Sequence, residues 1–227
     1  MGLVPDLELF PLPAWIKRRA ARRFLKTLDD PLLSSRSELQ VDFNECIRPF
    51  IKRNVDLTSL IDVGVDLLAN SVQSCKPFYK QLVWLYDAPY YFVLTFKING
   101  ELMGAAVLGF KVTAASLNII QIQGLKFVQK HNNFIDDQIK SMLQSLKWER
   151  LLVSFAENWA IKNGFRRAKI QKAESNAWFI DMKKYESVYI GRNDRLKMHY
   201  DVTAKRSGYK SLNKKWWGKK LTQTAGL

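Results

Sequence analysis

The clearest pattern in the chain is an apolar stripe at helical spacing between residues 148 and 163. The stripe consists of Trp148, Leu151, Leu152, Phe155 and Trp159. Steps of three and four place these side chains on one face of a helix. Gly164 follows this stripe. Helices often end with a residue in the left-handed conformation, and that residue is usually glycine. The pattern therefore predicts one amphipathic helix with a glycine stop.

Two strand-like segments flank this helix. An apolar run precedes it at 117–125, and a basic segment, Arg167–Gln171, follows Gly164. The sequence Glu174-Ser-Asn176 comes directly afterwards. A strand, a helix and a strand in this order form a βαβ unit, whose strands are normally parallel. We expect any chemistry of the fold at the mouth of this unit.

The segments before residue 117 change from helical to strand-like patterns. Segments 43–54, 57–68 and 78–86 are interpreted as short helices. Residues 90–97 are β-branched and aromatic, and Asn99-Gly100 is typical of a tight hairpin turn. Residues 101–110 form the predicted returning strand, in which Gly104 and Gly109 indicate a bulge or a close backbone approach.

The remaining segments complete the predicted layout. Residues 130–145 have helical spacing, as do residues 192–207, which end before Gly208. Residues 209–221 are expected to return as a last strand, with one tryptophan of Trp216-Trp217 in the core and the other covering an edge. Residues 1–40 are predicted to be an extended arm and a basic amphipathic helix, and residues 41–227 a single α/β domain.

The basic helix of the N-terminal arm spans 15–26 and has several interpretations. It carries six basic residues around an apolar face. Such a helix could lie on a membrane surface, dock on a protein partner, contact RNA, or pack as an ordinary helix by its apolar face. The sequence leaves these alternatives open.

The net charge is concentrated in the C-terminal half. The chain carries 36 Lys and Arg against 21 Asp and Glu, a net charge of +15. Residues 126–227 hold 22 basic and 9 acidic residues, so this half alone carries +13. A field of this sign attracts polyanions such as nucleic acid, an anionic membrane or a phosphorylated cofactor. A merely basic, well-solvated surface is the alternative.

Several classes of function lack their sequence signals. No P-loop, Rossmann fingerprint or nucleophile elbow occurs. Cys46 and Cys75 are too far apart for a metal or redox motif, and two histidines make a zinc site improbable. No apolar run approaches the about 18–20 residues that span a bilayer, so we expect an intracellular, cytoplasmic protein without a transmembrane segment.

The order of these elements resembles that of the GNAT superfamily of acyl-CoA-dependent N-acyltransferases. The resemblance rests on the run at 117–125, on Leu151-Leu152 with Ala156 and Ala160 ahead of Gly164, on Asn176, and on the segment 200–209 that ends in Gly-Tyr. It implies a mixed, centrally split β-sheet flanked by helices. It further implies acetyl-CoA or another acyl-CoA as cofactor and an amine as acyl acceptor.

The resemblance also implies site residues. The cofactor-binding candidates are Ile122, Gln123, Gly124, Leu125, Lys147, Arg150 and Asn176, and the catalytic candidates are Tyr200 and Glu101. The family loop reads Gln/Arg-x-x-Gly-x-Gly/Ala, and counting back from Leu151 puts its glycine positions on Leu146 and Trp148. In the family, a tyrosine that can protonate the leaving thiolate often lies four residues before the glycine of the helix end. That position is Ala204 here, one helical turn beyond Tyr200.

Two functions therefore remain open at the level of sequence. The first is an N-acyltransferase. The second is a non-catalytic GNAT-like module that binds nucleic acid or an anionic surface, or docks within a larger assembly. Cations interleaved with aromatic side chains favour the second. Lys169 and Lys172 follow Arg166-Arg167, and Lys210 and Lys219-Lys220 flank Trp216-Trp217. The polyanion-binding candidates are Arg166, Arg167, Lys205, Arg206, Lys214, Lys215 and Trp216.

Overall fold

The strands of the molecule form from two kinds of segment. In some, apolar and polar residues alternate, and in others both faces of the strand are apolar. In the computed structural model, the structure describes residues 19, 63–69, 88–98, 101–124, 141, 143–179 and 192–222. The strands are β1 (Val63–Ala69), β2 (Tyr90–Ile98), β3 (Glu101–Val112), β4 (Ser116–Gly124), β5 (Arg167–Gln171), β6 (Lys210–Ser211) and β7 (Trp216–Lys220). Within these residues they build one mixed sheet in the order β1-β2-β3-β4-β5-β7-β6.

Two helices with described bounds accompany the strands, and residues 141 and 143–146 are also helical, at the end of the helix predicted at 130–145. Helix α1 spans Trp148–Lys162. Helix α2 runs through an α-helical segment at Arg192–Lys197, a π-helical turn at Met198–Val202 and an α-helical segment at Thr203–Arg206. A 3₁₀ turn, Ala173–Ser175, follows β5. The mixed α/β character that the sequence predicted is confirmed.

Both helices end as the sequence predicted. Gly164 has φ 77° and Gly208 has φ 81°, conformations that cost glycine little. The next residue is aromatic in each case, Phe165 and Tyr209, and both rings are buried in the core. The amide of Phe165 donates to the Ala160 carbonyl and that of Tyr209 to the Ala204 carbonyl, so the last carbonyls of each helix are satisfied.

The parallel pair of the βαβ unit is confirmed. Ser116–Ile119 pair with Arg167–Ile170 in parallel, whereas the other neighbouring strands pair antiparallel. The stripe of α1 packs against the sheet, with Phe155 edge-on to Phe92 of β2 at 5.1 Å between ring centroids. The core therefore lies between α1, α2 and one face of the sheet.

Glycines mark two irregularities of β3, as predicted. The β2–β3 register shifts beside Gly104, and the β3–β4 register shifts between Gly109 and Phe110. A Cβ atom at Gly109 would lie 2.7 Å from Cε1 of Tyr91 and 2.9 Å from Cβ of Gln121. Only glycine lets these neighbouring side chains approach the strand so closely.

Two predictions of secondary structure need correction. The helix predicted at 57–68 is wrong for its second half, because Val63–Ala69 pairs with β2 as a strand. Val63, Val65 and Leu67 face the main core and Leu68 faces a second apolar cluster, so burial on both faces imitates helical spacing. The last strand, predicted at 209–221, is two strands, β6 and β7, joined by a turn. The GNAT resemblance also implies helices on both faces of the sheet. The helices α1 and α2 pack on one face, and helices on the other face stay a prediction.

Other predictions fall outside the described residues. These are the helices predicted at 43–54, 78–86 and 15–26, most of the helix at 130–145, the turn Asn99-Gly100, and the arm at 1–13. Of the basic N-terminal helix, Arg19 alone is described, and it is helical and exposed. The division into residues 1–40 and 41–227 stays a prediction.

Candidate functional site

Strands β4 and β5 part after four paired residues. Their parallel register ends at Ile119 and Ile170. β5 then stops at Gln171, while β4 continues to Gly124 along β3. The β3–β4 register skips Ile120, so β4 carries a bulge where the two strands separate. Beyond the bulge, the backbone edge of β4 that faces away from β3 has no strand partner in the described part of the chain.

The hydroxyl of Tyr200 occupies this edge. It accepts a hydrogen bond from the Ile122 amide at 3.2 Å and donates to the Ile120 carbonyl at 3.3 Å. It also accepts a hydrogen bond from Nδ2 of Asn176 at 3.0 Å. Tyr200 is only 2% exposed, so its hydroxyl satisfies backbone groups that water cannot reach well. The structure thus brings together the predicted residues Tyr200, Asn176 and Ile122.

The backbone of α2 changes its winding at Tyr200. The π-helical turn Met198–Val202 contains Tyr200, and Oγ1 of Thr203 bonds back to the Met198 carbonyl at 3.4 Å. Ala204, where the family would carry its tyrosine, is fully buried in the core. Tyr200 lies a full helical turn before Ala204 in the sequence. Its hydroxyl nevertheless reaches β4.

The loop before α1 does not have the open backbone of a phosphate loop. Leu146 is 1% exposed and Trp148 is 7% exposed, and both belong to the core. Lys147 adopts a left-handed conformation, φ 51° and ψ 50°, at the N-cap.

A carboxylate already lies at the start of α1. Glu149 is in the first turn, and its Oε1 is 3.1 Å from Nδ1 of His199 on α2. The His199 ring is 5.4 Å from the Trp148 ring. A negative side chain here interacts favourably with the positive end of the helix dipole and would repel a pyrophosphate.

The residues at the start of α1 do not fit the pyrophosphate of an acyl-CoA. Leu146 and Trp148 fill the space in which glycines would expose backbone amides, and Glu149 carries the wrong charge. Tyr200 uses the Ile122 amide, which lies within the segment predicted to bind the cofactor. Lys147 is exposed and Arg150 half-buried, so the predicted cations lie near the helix start but beside that carboxylate.

The other predicted cofactor residues contribute little to this site. The Gln123 side chain accepts a hydrogen bond from Gln121 at 2.8 Å, on the sheet face opposite the helices. Gly124 lies against the Trp148 ring, since a Cβ there would be 3.6 Å from it. Glu101 begins β3 seven residues before Leu108, the partner of Ile122, which is about 24 Å along the strand. Leu125 lies outside the described residues.

A buried polar cluster that the sequence did not suggest lies between α1, α2 and β7. Nζ of Lys219 is 2.7 Å from Oε2 of Glu157 and donates to the Ser207 carbonyl at 3.0 Å. It also lies 5.6 Å from the Tyr209 ring centroid. Burial raises the pKa of Glu157 above its ordinary 4.5, which Lys219 offsets only in part. Burial, and then the Glu157 carboxylate, raise the pKa of Tyr209 well above 10.0. The contacts of this cluster support a structural role.

The predicted polyanion residues do not share one side of the sheet. Lys205 lies on the helix side, 5.4 Å from the Trp217 ring, with Lys172 4.9 Å from the same ring. Asp201 accepts a hydrogen bond from Nε1 of Trp217 at 2.7 Å. Trp216 lies on the opposite face, because it neighbours Trp217 in the same strand. The two tryptophans therefore alternate as predicted, although both are half-buried.

The face of the sheet opposite the helices carries cations in register. Cα pairing aligns Lys111 of β3, Asn118 of β4, Lys169 of β5, Gly218 of β7 and Lys210 of β6 in one row across five strands. Arg167 and Lys220 form the next row, and Gln171 and Trp216 form the row on the other side. Lys111, Arg167, Lys210 and Lys220 are exposed, and Lys169 is half-buried. We call the residues Lys111, Arg167, Lys169, Lys210, Trp216 and Lys220 the basic face.

The sequence analysis found only part of the basic face. Arg167 and Trp216 were site candidates, and Lys169, Lys210 and Lys220 belonged to the basic clusters of the sequence. Lys111 was not suggested by the sequence. Lys214 and Lys215 are exposed in the turn before Trp216, Arg166 is exposed just before β5, and Arg206 is exposed at the end of α2. Alternation along β5 and β7 was the available signal, since Arg167 and Lys169 flank a buried alanine and alternate with it.

Comparison with known proteins yields no relative. No protein-family model, no curated protein and no solved structure matches the chain. Among the described residues, no helix is long and apolar enough to cross a membrane. The same residues contain no group of three or more His, Cys, Asp or Glu side chains that could hold a metal ion. Function must therefore be argued from the geometry.

Proposed function

We propose that this protein is a non-catalytic, GNAT-like module that binds nucleic acid through the basic face. The observation that carries the proposal is the register of Lys111, Lys169 and Lys210 in one row, with Arg167 and Lys220 in the next. Adjacent rows are about 7 Å apart along the strands, and cations two strands apart in one row are about 10 Å apart, so each charge lies within about one Debye length of its nearest neighbour at 0.1 M salt. Their fields add and attract a polyanion.

The distribution of carboxylates strengthens this proposal. Glu157, Asp201 and Glu149 lie on the helix side, where each contacts Lys219, Trp217 or His199. The positions of the three rows across β3–β7 hold no carboxylate. Within β3–β7, the face opposite the helices therefore carries cations without carboxylates, and Asp66, which lies on the same face of β1, is buried. A merely soluble basic surface would not require this separation.

The GNAT-like fold is part of the proposal. Its support is the parallel pairing of β4 and β5, which ends after four residues, and the helix that closes with Gly208-Tyr209. The poor fit of an acyl-CoA at α1 favours the non-catalytic interpretation of that fold. In this interpretation Tyr200 closes the split between β4 and β5 as a structural element.

The test is the salt dependence of binding to a fluorescein-labelled oligonucleotide, measured by fluorescence anisotropy. The double variant Lys111→Gln/Lys210→Gln removes two exposed cations from the basic face. Removing one lysine–phosphate contact lowers the slope of log K against log salt by about 0.7 for single strands and 0.9 for duplexes. We therefore expect this variant to lower the slope by about 1.4–1.8 if both lysines bind phosphates.

A matched control is available on the helix side. Lys205→Gln/Arg206→Gln removes the same charge from two exposed residues at the end of α2. The control should keep the wild-type slope. Equal reductions of the slope in both double variants would show a net-charge effect and overturn the assignment to this face. Binding that hardly changes between low and physiological salt would overturn the proposal as a whole.

An N-acyltransferase is the second candidate, and one observation favours it. The Tyr200 hydroxyl and the Asn176 amide meet at the bulge of β4, within a π-helical turn, and such turns often occur at functional sites. Calorimetry with acetyl-CoA at moderate salt tests this candidate. Micromolar binding would support it, and no binding at millimolar ligand would exclude acetyl-CoA as its cofactor.

A further inference from the structure

We infer that the nucleic acid bound by the basic face is single-stranded, and that Trp216 stacks on one of its bases. This inference rests on the proposed function and adds the strandedness of the ligand and a contact that is not electrostatic. It follows from the width of the face and from the apolar side chains that lie among its cations.

The width of the basic face excludes insertion into a duplex groove. Lys111 and Lys210 are four strand spacings apart, which is about 19 Å at about 4.8 Å per strand. The major groove of B-DNA is about 12 Å wide and admits a helix or a two-stranded ribbon. A face five strands wide can therefore touch a duplex only at its outer phosphates, whereas a flexible single strand can lie along it.

Apolar surface lies between the cations. The Leu212 side chain covers Gly218, between Lys169 and Lys210 in the row, since a Cβ at Gly218 would be 3.3 Å from Cδ2 of Leu212. Leu212 is 57% exposed. Trp216 lies two residues from Gly218 on the same face of β7 and is half-buried. An aromatic platform beside cations is the arrangement that binds single strands, because every base has a face that can stack.

The backbone around Trp216 is held in place. Oδ1 of Asn213 accepts hydrogen bonds from the amides of Lys215 and Trp216, at 2.9 and 3.0 Å. The Lys172 amide donates to the Lys215 carbonyl at 2.9 Å, which ties this turn to the end of β5. A fixed tryptophan loses little conformational entropy when a base stacks on it. Lys214 and Lys215, exposed in the same turn, extend the cationic surface.

The length of the row sets the expected site size. A stacked strand rises about 3.4 Å per nucleotide, so about 19 Å corresponds to on the order of six nucleotides. Sheet-based single-strand binders use aromatic side chains on strands in the same way, with about two or three bases stacked on the sheet. An anionic membrane is a poorer ligand for this face, because membrane binding needs a larger apolar surface than one leucine and one tryptophan.

The experiment compares a mixed-sequence strand of about 20 nucleotides, its blunt duplex and an abasic strand of the same length at one salt concentration. The full-length chain should bind the single strand tighter than the duplex. Trp216→Ala should weaken single-strand binding by about 5- to 100-fold. It should leave binding of the duplex and the abasic strand unchanged and keep the salt slope. Trp216→Phe should retain most of the affinity.

Trp178→Ala is the matched control, because Trp178 is 43% exposed and lies outside the basic face, in the segment that follows Asn176. It should change binding by less than about twofold. Duplex affinity equal to or above that of the single strand, or an unaffected Trp216→Ala variant, would overturn the inference while leaving the proposed function intact. Tighter binding to vesicles with phosphatidylserine than to the strand would overturn both. Absence of salt-dependent binding to any oligonucleotide would overturn the proposed function itself.

Discussion

Replacing Tyr200 with phenylalanine tests whether its hydroxyl stabilises the split between β4 and β5. The substitution keeps the buried ring and removes only the hydroxyl. The Ile122 amide and Nδ2 of Asn176 would each lose a hydrogen-bond acceptor, and the Ile120 carbonyl would lose a donor. Both nitrogen donors belong to buried residues, since Ile122 is 2% and Asn176 is 7% exposed.

The expected magnitude follows from these two donors. A buried donor left unsatisfied costs about 1–3 kcal/mol, so the loss of both acceptor contacts in Tyr200→Phe should lower the free energy of unfolding by about 2–6 kcal/mol. The lower end of this range applies if the two donors shift enough to form hydrogen bonds with water. Urea denaturation followed by tryptophan fluorescence measures the change, and an unaltered m-value would show that the transition itself is the same.

Tyr90→Phe is the matched control for this measurement. Tyr90 is half-buried on β2 and packs against Phe110 at 5.8 Å between ring centroids. Its replacement should change the free energy of unfolding by less than about 0.5 kcal/mol. Similar, small effects of the two substitutions would refute the view that Tyr200 satisfies the backbone of β4.

Two further predictions concern stability. Gly109→Ala should cost about 2–3 kcal/mol in urea denaturation, because its Cβ would lie 2.7 Å from Cε1 of Tyr91. Gly124→Ala, whose Cβ would meet the Trp148 ring at 3.6 Å, should be tolerated much better, and equal costs would contradict the steric argument. Burial and Glu157 raise the pKa of Tyr209, so the unfolded chain releases its phenolic proton first, and stability should fall as pH rises above about 10. Tyr209→Phe should lose less stability between about pH 9 and 11, and an identical pH profile would contradict this.

The candidate site illustrates how far sequence spacing reaches. Asn176 could be chosen from its position after the second strand of the βαβ unit, and the structure brings it to Tyr200. The contact between Tyr200 and β4 depends on the bulge at Ile120 and on the π-helical turn. Neither feature leaves a periodic signal, because each changes the spacing by one residue. The pairing of Glu149 with His199 joins residues far apart in the chain and was not predicted.

Local chemistry was sufficient for the helix α1 and for both helix ends. The stripe of α1 and the left-handed residues Gly164 and Gly208 follow from periods and dihedral preferences that the sequence itself carries. β1 was mistaken for a helix because Leu68 is buried on the face opposite Val63, Val65 and Leu67, so Val65 and Leu68 continue the helical spacing of the preceding residues. Which faces a strand buries depends on its neighbours, and only the folded sheet supplies them.

The basic face was decided by the tertiary structure alone. Lys111, Lys169 and Lys210 are separated by tens of residues, and no short window of sequence contains them together. They align because β7 lies between β5 and β6 and because the register of four strand pairs matches. The sequence determined that the C-terminal half is strongly basic. Strand order and register determined that Arg167, Lys169, Lys210 and Lys220 of this half share one face with Lys111, since a shift of one residue would turn a lysine toward the core.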